Sequence, residues 1–218
     1  MKRCLIIAGG QIALGGYLLP IQQEPFDLVI AVDGGLKSAD RLHFIPSHVV
    51  GDFDTVKPEL LARYRKDENI LFYTHCPEKD ATDTELAMEL AIEQGAEEIV
   101  ILGGTGGRMD HTLANLQVMM KPLQAGIPCF MADACNRIRL LDHGMRFRRK
   151  DCFGTYISLI PLTEKVENVT LKGFKYPLHN YCLTIGNSLG ISNELAEDTG
   201  EVCFTDGILI CIESRDRE

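Results

Sequence analysis

The sequence predicts an α/β protein in two parts: a doubly wound, mostly parallel sheet over residues 1–135, then a smaller antiparallel β-sandwich over residues 136–218. Two observations carry this reading. Up to about residue 135, short apolar runs alternate with helical segments, the pattern of a parallel sheet covered on both faces. Beyond it, apolar runs follow one another with no helix between them, at the turn spacing of a sandwich. No low-complexity linker or internal repeat intervenes, so the two parts are expected to pack tightly.

Residues 3–8 read as a buried strand that ends at Gly9-Gly10. Leu28 to Val32 is the second strand, ending in Asp33-Gly34-Gly35, and a short helix runs from Leu36 to Leu42. A third strand ends in Val49-Val50 and turns at Gly51. Pro58 suits the first turn of a helix reaching about Lys66, because its φ is fixed and its missing N–H is not needed there. Ile70 to Tyr73 is strand-like.

Thr82 and Glu85 frame a capping box, with Asp83 in the first turn where negative charge complements the helix dipole. Leu86, Ala87, Leu90 and Ala91 form that helix's apolar stripe, Glu85, Glu89 and Glu93 its wet face, and Gly95 its end. Glu98 to Leu102 is a strand entering a run of glycines. Asp110 is the expected N-cap of a long helix to about Leu123, and Ile127 to Met131 is one more strand.

In the second part, strands are expected at Ile138–Leu141, Phe153–Ile160, Val166–Leu171, Tyr181–Ile185, Val202–Phe204 and Ile208–Ile212. Asp206-Gly207 predicts a hairpin between the last two.

Composition narrows the class. An apolar fraction of 45% and a charged fraction of 24% are ordinary for a soluble globular chain. A formal charge of −9 argues against a nucleic-acid surface. The densest basic run, Arg146 to Lys150, is short and interrupted, and reads as a solvated strand edge. The eight cysteines contain no C-x-x-C pair, and several sit in apolar runs where a thiol acts as a small hydrophobe. A disulfide framework or zinc cluster is not expected, and a reducing cytoplasm fits. The apolar run after Met1-Lys2-Arg3 is too short for a signal peptide, and no stretch approaches the ~20 apolar residues of a membrane span.

The chemistry collects at strand ends, where open parallel sheets bind ligands. Gly9-Gly10, Asp33-Gly34-Gly35, Gly51-Asp52-Phe53-Asp54, Lys79-Asp80-Ala81-Thr82-Asp83 and Gly103 to Asp110 stand at or just after five successive ends. On an extended backbone Asp52 and Asp54 would point the same way. Two like charges at one spot call for a cation, and hard oxygen ligands suit Mg²⁺. An acidic turn is the bland alternative. Bare backbone amides beside carboxylates suit a nucleoside polyphosphate with its metal. The glycine run is neither a Walker A loop nor a dinucleotide fingerprint. Arg108 could grip a phosphate bidentately, or be an ordinary surface arginine. Asp110 could be no more than a helix cap.

These stretches, with Gly103-Gly104-Thr105-Gly106-Gly107-Arg108-Met109-Asp110-His111, resemble the ordered motifs of the thiamine pyrophosphokinase family in its bacterial form. Gly173 to Leu178 and Ser192-Asn193-Glu194 resemble its thiamine-side segment, so the likeness spans the chain in order. Each motif is weak alone, and together they are specific. The resemblance implies a Rossmann-like catalytic domain, a β-sandwich, a homodimer with thiamine near the subunit interface, and conversion of ATP and thiamine into AMP and thiamine diphosphate with Mg²⁺. It implies that Asp33, Asp52, Asp54 and Asp83 hold the metal and polyphosphate, and that Arg108 and Asp110 line the active site. Gly9, Gly10, Gly34, Gly35, Lys79, Asp80, Gly104 and Thr105 are the expected phosphate-side residues, and Ser192 and Asn193 the thiamine contacts. Thr55 stands where the family usually has serine. The rival readings are a pyrophosphokinase for a pterin alcohol, a Mg²⁺- or Mn²⁺-dependent phosphohydrolase and a nucleotide sensor without turnover.

Overall fold

The computed structural model describes residues 1–74 and 81–216, which form two compact units, Met1–Ala134 and Cys135–Glu218. The first unit runs β1 (Arg3–Ile7), α1 (Leu18–Gln23), β2 (Leu28–Val32), α2 (Gly35–Arg41), β3 (His48–Gly51), α3 (Pro58–Tyr64) and β4 (Leu71–Thr74). It continues with α4 (Asp83–Glu93), β5 (Glu98–Leu102), α5 (Met109–Val118), α6 (Met120–Gln124) and β6 (Cys129–Ala132). Its strands are all parallel and lie in the order β6-β5-β1-β2-β3-β4. β2 and β3 are buried along their whole length, and β1 and β5 at all but their first residue. Such uniformly apolar strands require cover on both faces. The chain winds outward from β1 in one direction through β4 and in the other through β5 and β6. The winding therefore reverses between β1 and β5, the kind of crevice where such sheets bind ligands.

Two helix ends differ from the expected ones. The Thr82 hydroxyl accepts from the Glu85 amide at 3.2 Å, but Glu85 pairs with Lys121 instead of closing the capping box. The expected long helix from Asp110 is α5 and α6, broken at Met119. Pro122 has no N–H and its ring conflicts with the carbonyl four residues back. The cap of α5 is Arg108, whose carbonyl accepts from the Thr112 amide at 3.2 Å, so Asp110 falls in the first turn. Short α1 had no signal in the sequence reading.

The second unit contains β7 (Asn136–Leu141), β8 (Met145–Arg148), β9 (Tyr156–Pro161), β10 (Lys165–Lys172) and β11 (Leu178–Thr184). It ends with β12 (Asn193–Glu194), β13 (Thr199–Cys203) and β14 (Leu209–Ser214). One antiparallel layer is ordered β12-β9-β14-β7 and the other β11-β10-β13-β8. Ile157, Leu159 and Leu209 of the first share a core with Val166, Val169 and Leu183 of the second. The predicted hairpin at Asp206-Gly207 is not formed. β13 pairs with β10 and β8, while β14 pairs with β7 and β9. The turn instead docks on β10, where the Glu167 amide donates to the Asp206 carbonyl at 3.0 Å, and it carries the chain from one layer to the other. The described cysteines are free, and no helix among the described residues is long and apolar enough to cross a membrane.

Gly35 shows how closely α2 is set against the sheet. A Cβ there would stand 1.9 Å from the Ile7 carbonyl oxygen and 3.0 Å from that of Ala8. Backbone cannot yield as a side chain can. Gly35→Ala is therefore expected to destabilise the protein by about 1–3 kcal/mol, measured by urea unfolding. An unchanged midpoint would show that α2 shifts freely.

Candidate active site

β2 ends at Val32, and the next residue carries the first carboxylate of the rim. The Asp33 amide donates to the Val50 carbonyl at 2.8 Å, and Asp33 takes a left-handed backbone, φ +43°. β3 ends at Gly51, whose own φ of +143° favours glycine and where a Cβ would come 3.1 Å from that of Asp33. Phe53 is also left-handed, at φ +66°, with its ring buried and edge-on to Phe72 at 5.8 Å between centroids. The Asp54 amide donates back to Asp52 Oδ1 at 3.2 Å.

Carboxylate oxygens of Asp33, Asp52 and Asp54 consequently lie within 4.8 Å of one another. The sequence reading placed Asp52 and Asp54 together by strand alternation. In fact the strand has stopped, and a left-handed turn anchored by Phe53 brings them together. Their crowding has an electrostatic signature. The charge of Asp52, with desolvation and then Asp33 adding to it, raises the Asp54 pKa above the usual carboxylate value. One oxygen, Asp33 Oδ1, is buried without a hydrogen-bond partner among the described residues, while Thr55 Oγ1 donates to Asp33 Oδ2 at 2.7 Å. An orphaned anionic oxygen on a residue grouped with two more carboxylates fits a hard divalent cation such as Mg²⁺. Asp83, in the first turn of α4, is not part of this cluster.

The glycine turns meet at the reversal between β1 and β5. Gly10 donates to the Gly103 carbonyl at 3.0 Å and Gln11 to that of Gly106 at 3.2 Å. A Cβ on Gly10 would lie 2.3 Å from the Thr105 carbonyl oxygen. Gly104 has a different reason, since a Cβ there would meet the Met131 sulfur at 2.2 Å. That glycine is demanded by packing. Gly107 leaves open space and a Cβ on Gly9 would meet the Gly34 nitrogen only at 4.0 Å, so both fit the closer approach of a ligand. Gly34 caps α2 beside Thr55.

Two residues that the sequence reading passed over hold the glycine run. Asp133, just past β6, accepts from Thr105 Oγ1 at 2.7 Å, and buried Asn115 donates to the Gly104 carbonyl at 2.9 Å. Asp133 obeys the same signal as the others, a carboxylate at a strand end. Arg108 and Asp110 form an exposed ion pair, and Arg108's hydrogen bond is the main reason the Asp110 pKa drops to about 2. Lys79 and Asp80 lie outside the described residues.

Ser192 and Asn193 belong to the second unit. Ser192 is exposed and left-handed, its amide donating to Ser158 Oγ at 2.9 Å. Asn193 is buried, and its amide group clasps the Tyr176 backbone, donating to the carbonyl at 2.8 Å and accepting from the N–H at 3.1 Å. That side chain ties β12 to the stretch Gly173 to Leu178.

Comparison with known proteins covers both units. Residues 22–131 match the model "Thiamin pyrophosphokinase, catalytic domain", and residues 142–209 match "Thiamin pyrophosphokinase, vitamin B1 binding domain". The chain is 39% identical to the thiamine pyrophosphokinase of Bacillus subtilis (strain 168), covering 99% of this chain and 100% of that protein. The crystal structure of the thiamine pyrophosphokinase from Bacillus subtilis superposes with a TM-score of 0.89 at 37% identity, over 99% of this chain and 100% of that one. That of the thiamin pyrophosphokinase from Geobacillus thermodenitrificans does so with a TM-score of 0.85 at 33% identity, over 100% and 99%.

The Thr55 contact makes a separable prediction. Thr55→Val keeps the shape and removes the donor to Asp33. It should weaken Mn²⁺ binding, followed by electron paramagnetic resonance, by about tenfold, the loss of one hydrogen bond to a charged acceptor. Thr55→Ser should bind as the parent does. Equal affinity in the valine variant would show that the backbone alone holds Asp33.

Proposed function

The chain belongs to the thiamin pyrophosphokinase family, and from that premise we propose that it transfers the diphosphoryl group of ATP to the hydroxyl of thiamine. The products are thiamine diphosphate and AMP. The observation that carries this reading is the family match over both units, in order, on a chain whose first unit gathers three carboxylates beside bare glycine turns. The match over residues 142–209 favours thiamine over a pterin alcohol as the acceptor.

Asp33, Asp52 and Asp54 would hold Mg²⁺, and Asp83, which stands outside their cluster, would serve the polyphosphate that the metal carries. Bound there, Mg²⁺ supplies the positive charge that neutralises the polyphosphate. The turns at Gly9-Gly10, Gly34-Gly35 and Gly104-Thr105 present main chain where phosphates approach, and by their sequence motif Lys79 and Asp80 would serve the phosphates as well. Arg108, exposed and, among the described residues, paired with Asp110, can exchange that partner for a phosphate fork. These residues position and neutralise; they do little covalent chemistry. The thiamine hydroxyl oxygen attacks the β-phosphorus in line, the bond from that phosphorus to the α-bridging oxygen breaks, and AMP leaves. Ser192 and Asn193 serve the thiamine side, Asn193 by fixing the Tyr176 segment. A homodimer in the cytoplasm completes the reading, in keeping with the free thiols.

Product analysis tests the reaction. ATP labelled in both its β and γ phosphates should deliver both labels to thiamine, with AMP formed in equal amount. ADP with thiamine monophosphate as early products would overturn the reading. Asp54→Asn should lower diphosphoryl transfer by ~10²-fold or more while the fold is kept, as judged by circular dichroism. Near-parental turnover at saturating Mg²⁺ would reduce the carboxylate cluster to an acidic turn.

A further inference from the structure

Among the four glycines of Gly103 to Gly107 stands one side chain that can be held, that of Thr105. Its hydroxyl donates to Asp133 Oδ2 at 2.7 Å. A hydroxyl has a single hydrogen, and this one is spent on a carboxylate, the stronger kind of acceptor. While that bond stands, the Thr105 side chain has no hydrogen to donate to a phosphate. What the residue can still offer a ligand is its backbone. Glycine has more freedom to lose on ordering than any other residue, so this run depends on ties from outside it.

Strand β6 supplies two of them. Met131, two residues before Asp133, lies against Gly104, where a Cβ would meet its sulfur at 2.2 Å. The run in turn holds the segment after β1. There the Gly10 amide donates to the Gly103 carbonyl at 3.0 Å, and the Gln11 amide to that of Gly106 at 3.2 Å. A Cβ on Gly10 would come 2.3 Å from the Thr105 carbonyl oxygen. The charge of Asp133 reaches that segment too, since burial first and then Asp133 push the Tyr17 phenol up to about 12. Tyr17 closes the segment by donating to the Ala13 carbonyl at 3.0 Å. The two turns at the reversal between β1 and β5 thus rest on each other, and the Thr105 bond ties both to the end of β6.

We propose that Asp133 is a positioning residue for the nucleotide. The inference rests on the reading that the phosphates of ATP meet this glycine run. Asp133 acts through the Thr105 hydroxyl, setting the backbone that the phosphates meet, and touches neither substrate. Its charge has the wrong sign for a phosphate ligand, and that gives the test a direction. Coulomb's law alone predicts that removing a carboxylate near the phosphates tightens ATP binding. Loss of positioning predicts the opposite.

The full chain is titrated by calorimetry with Mg²⁺ and α,β-methylene ATP, an analogue whose bridge between the first two phosphates does not break. Asp133→Ala should bind it about tenfold more weakly than the parent. Asp133→Asn, neutral but still an acceptor for Thr105, should bind at least as tightly as the parent. Thr105→Val should match Asp133→Ala, and the double variant should be no weaker than either. Mn²⁺ binding without nucleotide and the KM for thiamine should keep their parental values. Equal or tighter binding by Asp133→Ala overturns the proposal, whatever happens to the melting temperature. Losses that multiply in the double variant also overturn it, since the two residues would then act separately. A parent chain that does not bind the analogue overturns the functional reading and this inference together. A parent that binds it, beside variants that bind it equally, overturns this inference alone.

Discussion

Three carboxylates within 4.8 Å of one another, one with a buried oxygen that has no hydrogen bond among the described residues, set the terms for the rest of the first unit. Left to themselves they would separate. What prevents this is a set of backbone conformations that the packing beneath must support: Asp33 and Phe53 left-handed, with glycine at position 51 because a Cβ would crowd Asp33. Left-handed non-glycine residues and like-charge contact are both unfavourable, and such strain persists only where the surroundings over-determine it. Here the Asp33 amide bonds to Val50, the ring of Phe53 is buried against Phe72, and both rest on strands without exposed residues. The sheet is rigid so that its rim can be repulsive. A cation then turns repulsion into coordination.

Much of this was legible before any coordinates, for identifiable reasons. A parallel strand covered on both faces must be apolar throughout, so β1, β2, β3 and β5 announce themselves as runs of Val, Ile and Leu. Their ends are legible because glycine and aspartate follow them. The convergence of Asp52 and Asp54 was legible too, but through the wrong geometry. Alternation along a strand and a left-handed turn can bring the same pair together, and only φ at Phe53 tells them apart. Two-residue β12 and the short α1, which contains Pro20, are too brief to show a period. The failed hairpin at Asp206-Gly207 has a clearer cause. Turn residues specify a reversal of the chain, whereas pairing depends on which layer has a vacant edge, and β14 fits between β7 and β9.

Glycine is the residue most easily over-read. In a run of four glycines and a threonine, Gly104 answers to the Met131 side chain behind it, Gly103 and Gly106 to positive φ of +69° and +80°, and only Gly107 faces open space. The loop is shaped by its neighbours as much as by any ligand. Asn115, reaching 2.9 Å from α5 to the Gly104 carbonyl, gives the buried acceptor a partner and joins the loop to the helix after it. Asn193 does the same work in the second unit, satisfying both polar groups of Tyr176 from β12. A buried amide is well suited to this, because one side chain carries a donor and an acceptor. In both places an asparagine from outside the loop helps to set where the loop stands.

Net charge is the property in which whole-chain reasoning and local structure part most clearly. A total of −9 properly counts against a long basic surface of the kind nucleic acids require. It says nothing about the charges that one pair of neighbouring strands brings together. Within the second unit, strand alternation stacks Arg137 with Arg139 and Arg146 with Arg148, and a single buried glutamate is enough to hold the first pair in place. A carboxylate buried among guanidinium groups costs desolvation, and removing one partner costs more than the pair contributes. An all-apolar core would have been at least as stable there. What the ionic arrangement adds is direction: two guanidinium planes whose orientation one buried carboxylate fixes.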